Sequence, residues 1–143
     1  MRTKRFPQRD IDPDPRYGSH TVAKLINRSM RDGKKAAAQK QVYAALDILK
    51  DETGENPVEV LEAIIETVEP DMEVRSRRVG GAAYQVPMPV KQRRARSLAI
   101  RWIVVEANKR SNKDYHTYAE KLAAELLAAR EEQGGAISRR DAS

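Results

Sequence analysis

Apolar residues recur at spacings of three and four positions in five stretches of the chain, and this period predicts five helices with one buried face each. Residues suited to helix ends mark the boundaries. Ser19, Asn56 and Asp114 can cap helix N-termini, whereas Gly33 and the pair at 134–135 suit positions just past a helix. The predicted helices cover about residues 19–32, 34–50, 57–69, 91–109 and 115–133.

The third predicted helix separates its apolar and acidic residues most clearly. Its apolar positions share one face because they lie three or four residues apart. They are Val58, Leu61, Ile64, Ile65 and Val68. Its carboxylates repeat around the other face with no histidine beside them, which favours a solvated acidic face over a metal or acid–base site. They are Glu59, Glu62, Glu66 and Glu69.

The fourth predicted helix has a similar apolar stripe behind a basic first turn. The stripe consists of Ala95, Leu98, Ala99, Trp102 and Val105. We therefore expect Trp102 to anchor the core and not to stack on a nucleic-acid base.

A β-hairpin is predicted between the third and fourth helices. Residues 74–79 and 82–88 have the length of short strands, and Gly80-Gly81 between them suits the positive φ angles of a two-residue turn. Pro87 and Pro89 are expected to stop further strand pairing. With few apolar residues of its own, the hairpin should project from the helical body as a ribbon.

Charge is distributed unevenly along the chain. Residues 75–113 contain eleven Lys or Arg and one acid, and residues 1–35 contain ten basic and four acidic side chains. Residues 36–74 show the reverse, with two basic and ten acidic side chains. The net charge of +6 therefore conceals segregated blocks, and segregated basic blocks are typical of proteins that bind a polyanion.

Residues 1–16 combine three prolines with a cluster of basic residues and lack a helical period, so we expect an extended arm ahead of a single helical domain at 17–135. The arm's basic residues are Arg2, Lys4, Arg5 and Arg9. Two interpretations remain open: a disordered terminus with ordinary surface charge, or an arm that becomes ordered on RNA.

The candidate polyanion contacts in the rest of the chain are the lysines and arginines of the basic blocks. Arginine is suited to this because its guanidinium can bridge phosphate oxygens with two hydrogen bonds. These residues are Lys24, Arg28, Arg31, Lys34, Lys35, Arg75, Arg77, Arg78, Lys91, Arg93, Arg94, Arg96, Arg101, Lys109, Arg110 and Lys113. For Lys34 and Lys35, simple exposure to water is an equally good explanation.

Other function classes have weaker support. The chain has no cysteine and therefore no disulfide or thiolate chemistry, and it has no apolar run long enough to suggest a membrane partner. A hydrolase would have to use His20 or His116, but neither lies in a catalytic motif. A helix-turn-helix DNA regulator would also be small, helical and basic. In this chain, however, the most basic helix follows a ribbon, and no dimer seam is evident.

Two motifs resemble the universal small-subunit ribosomal protein S-seven family in its bacterial form. The first is the run DPDPRYGSHTVAKLINRSMRDGKKAAAQ, which includes Asp14, Tyr17 and Asn27. The second is VRSRRVGGAAYQVP, followed by SLAIRWIV. The resemblance extends from the basic arm to the end of the fifth predicted helix.

The resemblance implies a mainly helical protein with a protruding β-ribbon that binds ribosomal RNA of the 3′ major domain, in the head of the small subunit, and helps nucleate head assembly. It assigns the candidate cations to this RNA. It also implies that the ribbon tip faces transfer RNA and messenger RNA at the exit site. The tip residues are Gly80, Gly81, Ala82, Ala83 and Tyr84. The implied protein partners are neighbours in the head and platform, the implied location is a cytoplasmic or organellar ribosome, and no cofactor is implied.

Bacterial members of this family usually have a sixth, C-terminal helix. Residues 136–143, AISRRDAS, are short and polar, so we expect only a polar tail there. The predicted fold is therefore mainly α, a bundle of five helices with a protruding β-hairpin and a basic N-terminal arm, in which the sixth helix is absent.

Overall fold

Six helices and a two-stranded ribbon form the part of the chain that the structure describes. The structure is a computed structural model and describes residues 12–143. Its elements are α1 (His20–Ser29), α2 (Lys35–Thr53), α3 (Pro57–Val68), β1 (Met72–Val79), β2 (Ala82–Pro89), α4 (Gln92–Lys109), α5 (Tyr118–Arg130) and α6 (Gly135–Ala142). The predicted arm cations Arg2, Lys4, Arg5 and Arg9 lie outside the described residues.

The predicted caps of α1 and α3 are confirmed. Ser19 Oγ accepts a hydrogen bond from the Val22 N–H at 3.2 Å, and Asn56 Oδ1 accepts one from the Val58 N–H at 3.0 Å. Each bond satisfies one of the N–H groups that a helix start leaves without a partner. Local sequence therefore determines where these two helices begin.

Both ends of α5 differ from the prediction. Thr117, and not Asp114, is the N-cap, and its Oγ1 accepts from the Glu120 N–H at 3.2 Å. At the other end Glu132 adopts a positive φ of 54°, and the Gln133 N–H returns to the Ala128 carbonyl at 2.8 Å. This bond pattern closes a helix before any glycine is reached, so α5 ends three residues earlier than predicted.

The core lies between the apolar faces of α1 to α5, and its largest side chains come from every one of these helices. Fully buried examples are Leu25, Leu46, Leu61, Ile103 and Leu122. Burying one such side chain contributes about 1.5–3 kcal/mol.

The predicted buried stripe of α4 is only partly correct. Ala95 and Ala99 are buried as expected, but Leu98, Trp102 and Val105 are half-buried. The buried face continues instead through Ile100, Ile103, Val104 and Ala107. This helix is apolar on almost every side from residue 98 to 105, so periodicity alone could not select the inward face; Trp102 packs against the core from its margin.

The expected absence of a sixth helix is wrong, because residues 135–142 form α6. Ala136 and Ile137 are buried in the core cluster. Arg139 Nε donates to Glu106 of α4 at 2.7 Å, and Arg140 Nη1 donates to the Thr67 carbonyl at the end of α3 at 2.7 Å. The polar residues that suggested a tail are thus the residues that attach this helix to the body.

The acidic face of α3 is less solvated than predicted. Glu59 and Glu66 are exposed, but Glu62 and Glu69 both form ion pairs with Arg96 of α4. Burial raises the pKa of Glu69, against the smaller opposite effects of Gln92 and Arg96. Two of the four carboxylates on this face therefore contribute to the packing of α3 against α4.

The ribbon is present as predicted and turns at Gly80-Gly81, whose φ angles are 58° and 84°. The prediction that the prolines end the pairing is wrong, because β2 continues to Pro89. Pro87 pairs with Val74 and Pro89 with Met72. With a two-residue turn, alternate pairs share no hydrogen bonds. Both prolines fall in such pairs, where a missing N–H costs nothing.

Candidate nucleic-acid interface

Glu73 fixes the base of the ribbon to the start of α4. Its side chain is only 14% exposed; it accepts from Arg94 Nε at 2.8 Å and from Arg75 Nη2 at 2.6 Å. These hydrogen bonds lower the pKa of Glu73, and the bond from Arg94 has the larger effect. A backbone bond from Val90 to Asp71 closes the same junction at 3.0 Å. The ribbon cations and the first turn of α4 are consequently neighbours.

Beyond this junction the ribbon and the start of α4 carry exposed cations. Arg77 and Arg78 are exposed and point to opposite faces, since they are adjacent on one strand. Lys91 and Arg93 are exposed at the N-terminus of α4, where Lys91 provides no side-chain cap. Positive side chains at the positive end of a helix dipole are unfavourable alone, but the site is well suited to an anion.

A second group of cations lies at the end of the bundle where α1 ends and α2 and α5 begin. Ser29 and Tyr118 share a hydrogen bond of 2.7 Å between their hydroxyls, and Gln41 accepts from the Ala119 N–H at 3.0 Å. Burial raises the pKa of Tyr118, with smaller opposite effects from Ser29 and the Arg31 charge. The cations at this end are Arg28, Arg31, Lys34, Lys35 and, in the loop before α5, Lys113.

Arg96 has a different environment from the other candidate cations. Its side chain is 21% exposed, and its guanidinium binds Glu62 and, at 3.6 Å, Glu69. It also donates to Thr21 of α1 at 2.6 Å. One side chain thus joins α1, α3 and α4, a structural task that sequence reasoning did not assign to it.

Arg110 and Lys109 are likewise engaged within the protein. Arg110 binds the buried Glu125 at 3.2 Å and lies 5.5 Å from the centre of the Tyr115 ring. Lys109 pairs with Glu106 at 3.2 Å. Because Glu125 is 2% exposed, the Arg110 contact compensates a buried charge and is not freely exchangeable for a phosphate.

The candidate cations therefore divide into two groups. Those engaged by carboxylates are Arg75, Arg94, Arg96, Lys109 and Arg110. Those that form no ion pair within residues 12–143, called the unpaired cations below, are Lys24, Arg28, Arg31, Lys34, Lys35, Arg77, Arg78, Lys91, Arg93, Arg101 and Lys113. The unpaired cations lie along α1, at the start of α2, on the ribbon, on α4 and in the loop before α5. Their charges are not neutralised by any carboxylate of the described residues, which is the state in which a lysine or arginine is available to a polyanion.

The family described as Ribosomal protein S7p/S5e matches residues 1–143. The chain belongs to this family. It is 53% identical to the small ribosomal subunit protein uS7 of Caldicellulosiruptor bescii over 94% of this chain and 84% of that protein. It is 46% identical to the uS7 protein of Dechloromonas aromatica over 98% of this chain and 88% of that protein. The resemblance inferred from the two sequence motifs is confirmed.

Asp14 is an organising residue of this S7p/S5e chain that sequence reasoning named only as part of a motif. It is 4% exposed, and its carboxylate accepts from the backbone N–H groups of Tyr17 and Ser19, both at 2.8 Å. It also accepts from Arg16 N–H and the Tyr43 hydroxyl, both at 3.1 Å. An Asp ahead of Pro-Arg-Tyr-Gly-Ser could have indicated this turn, because Asp side chains commonly bind the next backbone N–H groups.

Arg16 completes the same turn in this S7p/S5e chain. Its guanidinium lies 5.1 Å from the centre of the Tyr17 ring and 5.2 Å from that of Tyr43, and it pairs with Asp47 at 2.8 Å. These contacts fix the path of the chain where it enters α1. The segment that connects the predicted arm to the body is therefore held firmly from Asp14 onward.

None of the helices between residues 12 and 143 combines the length and the apolar character needed to cross a bilayer.

Proposed function

We propose that the unpaired cations bind ribosomal RNA of the 3′ major domain, and that the chain thereby helps nucleate assembly of the head of the small ribosomal subunit. As an S7p/S5e protein the chain is a structural, non-enzymatic constituent of that subunit. The single observation that carries the proposal is the division of the cations. Arginines used for packing have carboxylate partners, whereas the unpaired cations form no ion pair and all of them except the half-buried Lys24 are exposed.

The expected binding mode is recognition of shape. A-form RNA hides its base edges in a deep groove, so a rigid set of cations would select a folded junction by the positions of its phosphates. The anchored ribbon and the α1–α2 turn hold such cations at fixed separations. Neutralising about 6–10 phosphates makes affinity fall roughly 10³- to 10⁵-fold between 50 and 200 mM salt.

The ribbon tip supports a finer assignment. Gly80 to Tyr84 lie at the end of the ribbon furthest from the body, and the small side chains of Ala82 and Ala83 leave the tip narrow. This shape suits contact with transfer RNA and messenger RNA at the exit site of a cytoplasmic ribosome. The same position makes the tip accessible to neighbouring head and platform proteins.

The test is binding of the full chain to a transcript of the 3′ major domain across a salt series, with unrelated structured RNA and duplex DNA as competitors. Arg77→Ala should weaken binding and reduce the salt slope by about one. Arg130→Ala is the matched control, because it removes the same charge from an arginine that pairs with Glu55, outside the unpaired cations. Equal competition by either unrelated nucleic acid would refute specific ribosomal RNA binding, and duplex DNA as the better competitor would favour a DNA-binding regulator.

A further inference from the structure

Tyr84 is the one aromatic residue within residues 12–143 that lies exposed and without a partner. It is 55% exposed. The other tyrosines of the chain have contacts: Tyr17 and Tyr43 pack edge to face around Arg16, Tyr115 contacts Arg110, and Tyr118 binds Ser29. Trp102 packs against the core. The fold therefore uses every described tyrosine and tryptophan ring except that of Tyr84.

The register of the ribbon places Tyr84 directly opposite Arg77. Both belong to the face that also carries Arg75 near the base and Val79 near the tip, because residues two apart share a face. Glu73 holds Arg75 through two hydrogen bonds, at 2.9 and 2.6 Å. Arg77 has no such partner, so it is the free cation directly across from the ring.

The Tyr84 side chain is more than half exposed, and no ring or cation contact to it occurs within residues 12–143. Toward the tip its strand neighbours are small, with Ala82 on the same face and Gly81 beyond it. The opposite face of the ribbon is different in character. There Gln85 donates to Ser76 at 3.0 Å, and Val74 and Pro87 form an apolar pair nearer the base.

We propose that Tyr84 stacks on the base of an unpaired nucleotide while Arg77 binds a phosphate of the same strand. A free cation beside an exposed ring matches the two chemical parts of a nucleotide, and stacking on one ring accepts any base. The positive charge of the ribbon favours an RNA strand over an apolar or basic protein segment at this position. The proposal rests on the function proposed above and specifies one contact within it.

The experiment uses the full chain and two RNAs: the 3′ major-domain transcript, and an unstructured nine-nucleotide RNA with 2-aminopurine at its centre. Tyr84→Leu should weaken binding of the short RNA by about 5- to 150-fold, the range for losing one stacked base. The change in 2-aminopurine emission that accompanies binding of the wild type should disappear in the Tyr84→Leu variant. Tyr84→Phe should bind like the wild type, since it keeps the ring. Val79→Ala is the control for loss of apolar area from the same face; it removes no ring and should therefore also bind like the wild type.

The salt dependence separates the two parts of the contact. Tyr84→Leu should leave the salt slope unchanged because no phosphate contact is lost, whereas Arg77→Ala should reduce it by about one. If Tyr84→Leu binds the short RNA like the wild type, or if Tyr84→Phe is as weak as Tyr84→Leu, stacking is overturned and the ring serves a protein neighbour. Selective wild-type binding to the transcript would still support the proposed function in that case. Loss of that selectivity would instead refute the proposed function itself.

Discussion

Replacing Glu125 by Ala should destabilise the protein and release α6 before the rest of the fold. Glu125 lies on α5 and is 2% exposed. Its Oε1 accepts from Arg110 at 3.2 Å, and its Oε2 accepts from the Ala136 N–H at 3.2 Å. Gly134 at the start of α6 provides no side-chain cap, so this carboxylate acts as the cap from a neighbouring helix.

The expected decrease in the free energy of unfolding follows from the contacts that Arg110 and the Ala136 N–H each lose. Removing one member of a buried ion pair costs about 3–5 kcal/mol. Arg110 is 22% exposed, so water can replace part of the lost interaction and the lower half of that range applies. Leaving the Ala136 N–H without an acceptor costs about 1–3 kcal/mol if it stays buried, and less if α6 detaches. We expect a total of about 3–5 kcal/mol, because the second cost is small once α6 detaches.

The assay is urea unfolding combined with hydrogen exchange of the α6 amides. Glu125→Gln keeps the shape and one acceptor but not the charge, so it should cost about half as much. Glu131→Ala removes an exposed acid at the end of the same helix and should change stability by less than about 0.5 kcal/mol.

A double-mutant cycle tests the physical reasoning. Arg110→Ala combined with Glu125→Ala should be less destabilising than the sum of the two single changes, by about 1–3 kcal/mol, because the pair is lost only once. Additive effects, or unchanged exchange of the α6 amides in Glu125→Ala, would refute the view that this pair holds α6.

Three further predictions concern other contacts of the fold. Asp14→Asn should lower the free energy of unfolding by about 2–3 kcal/mol, since an amide cannot accept from donors at both of its terminal atoms as the carboxylate does; urea unfolding measures this, and a loss below about 0.5 kcal/mol would contradict it. Gly135→Ala should cost about 1–3 kcal/mol, because the added methyl group would overlap the Glu106 side chain and displace it from Arg139; an unchanged midpoint in thermal unfolding would disprove the overlap. The lowered pKa of Glu73 means that the ribbon junction is stabilised above the ordinary pKa of 4.5 and loses this contribution as the pH falls through the lower folded-state value. An acid titration of the Arg94 Nε–H resonance should show the change, and Glu73→Gln should abolish it.

The sequence was sufficient to predict an element's end where neighbouring residues alone determine it. The Ser19 and Asn56 caps act within three residues of themselves, and Gly80-Gly81 closes the ribbon without help from the body. The inward face of α4 could not be predicted in this way. Its apolar residues surround the helix, and packing against α1, α3 and α5 decides which of them become buried.

The candidate site shows the same limit. Composition identified the basic blocks but could not distinguish an arginine that meets a carboxylate from one that stays unpaired. Arg96 and Arg93 are three residues apart in one basic run, yet Arg96 binds Glu62 and Glu69 while Arg93 is exposed. The partners of Arg96 lie about 30 positions away in the sequence, and only the packing of α3 on α4 brings them together.

The sixth helix was not predicted because it too depends on partners that are distant in the sequence. Residues 134–143 contain two glycines and a basic pair, and an isolated helix of eight residues is too short to be stable in water. What stabilises α6 comes from other helices: Glu125 caps it, Glu106 pairs with Arg139, and the Thr67 carbonyl accepts from Arg140. Gly134 is needed because its φ is 91° and a Cβ there would press against Glu125. The glycines interpreted as the end of α5 therefore bring the backbone close to the acids that hold α6, and its helical state is a tertiary property that no local pattern could reveal.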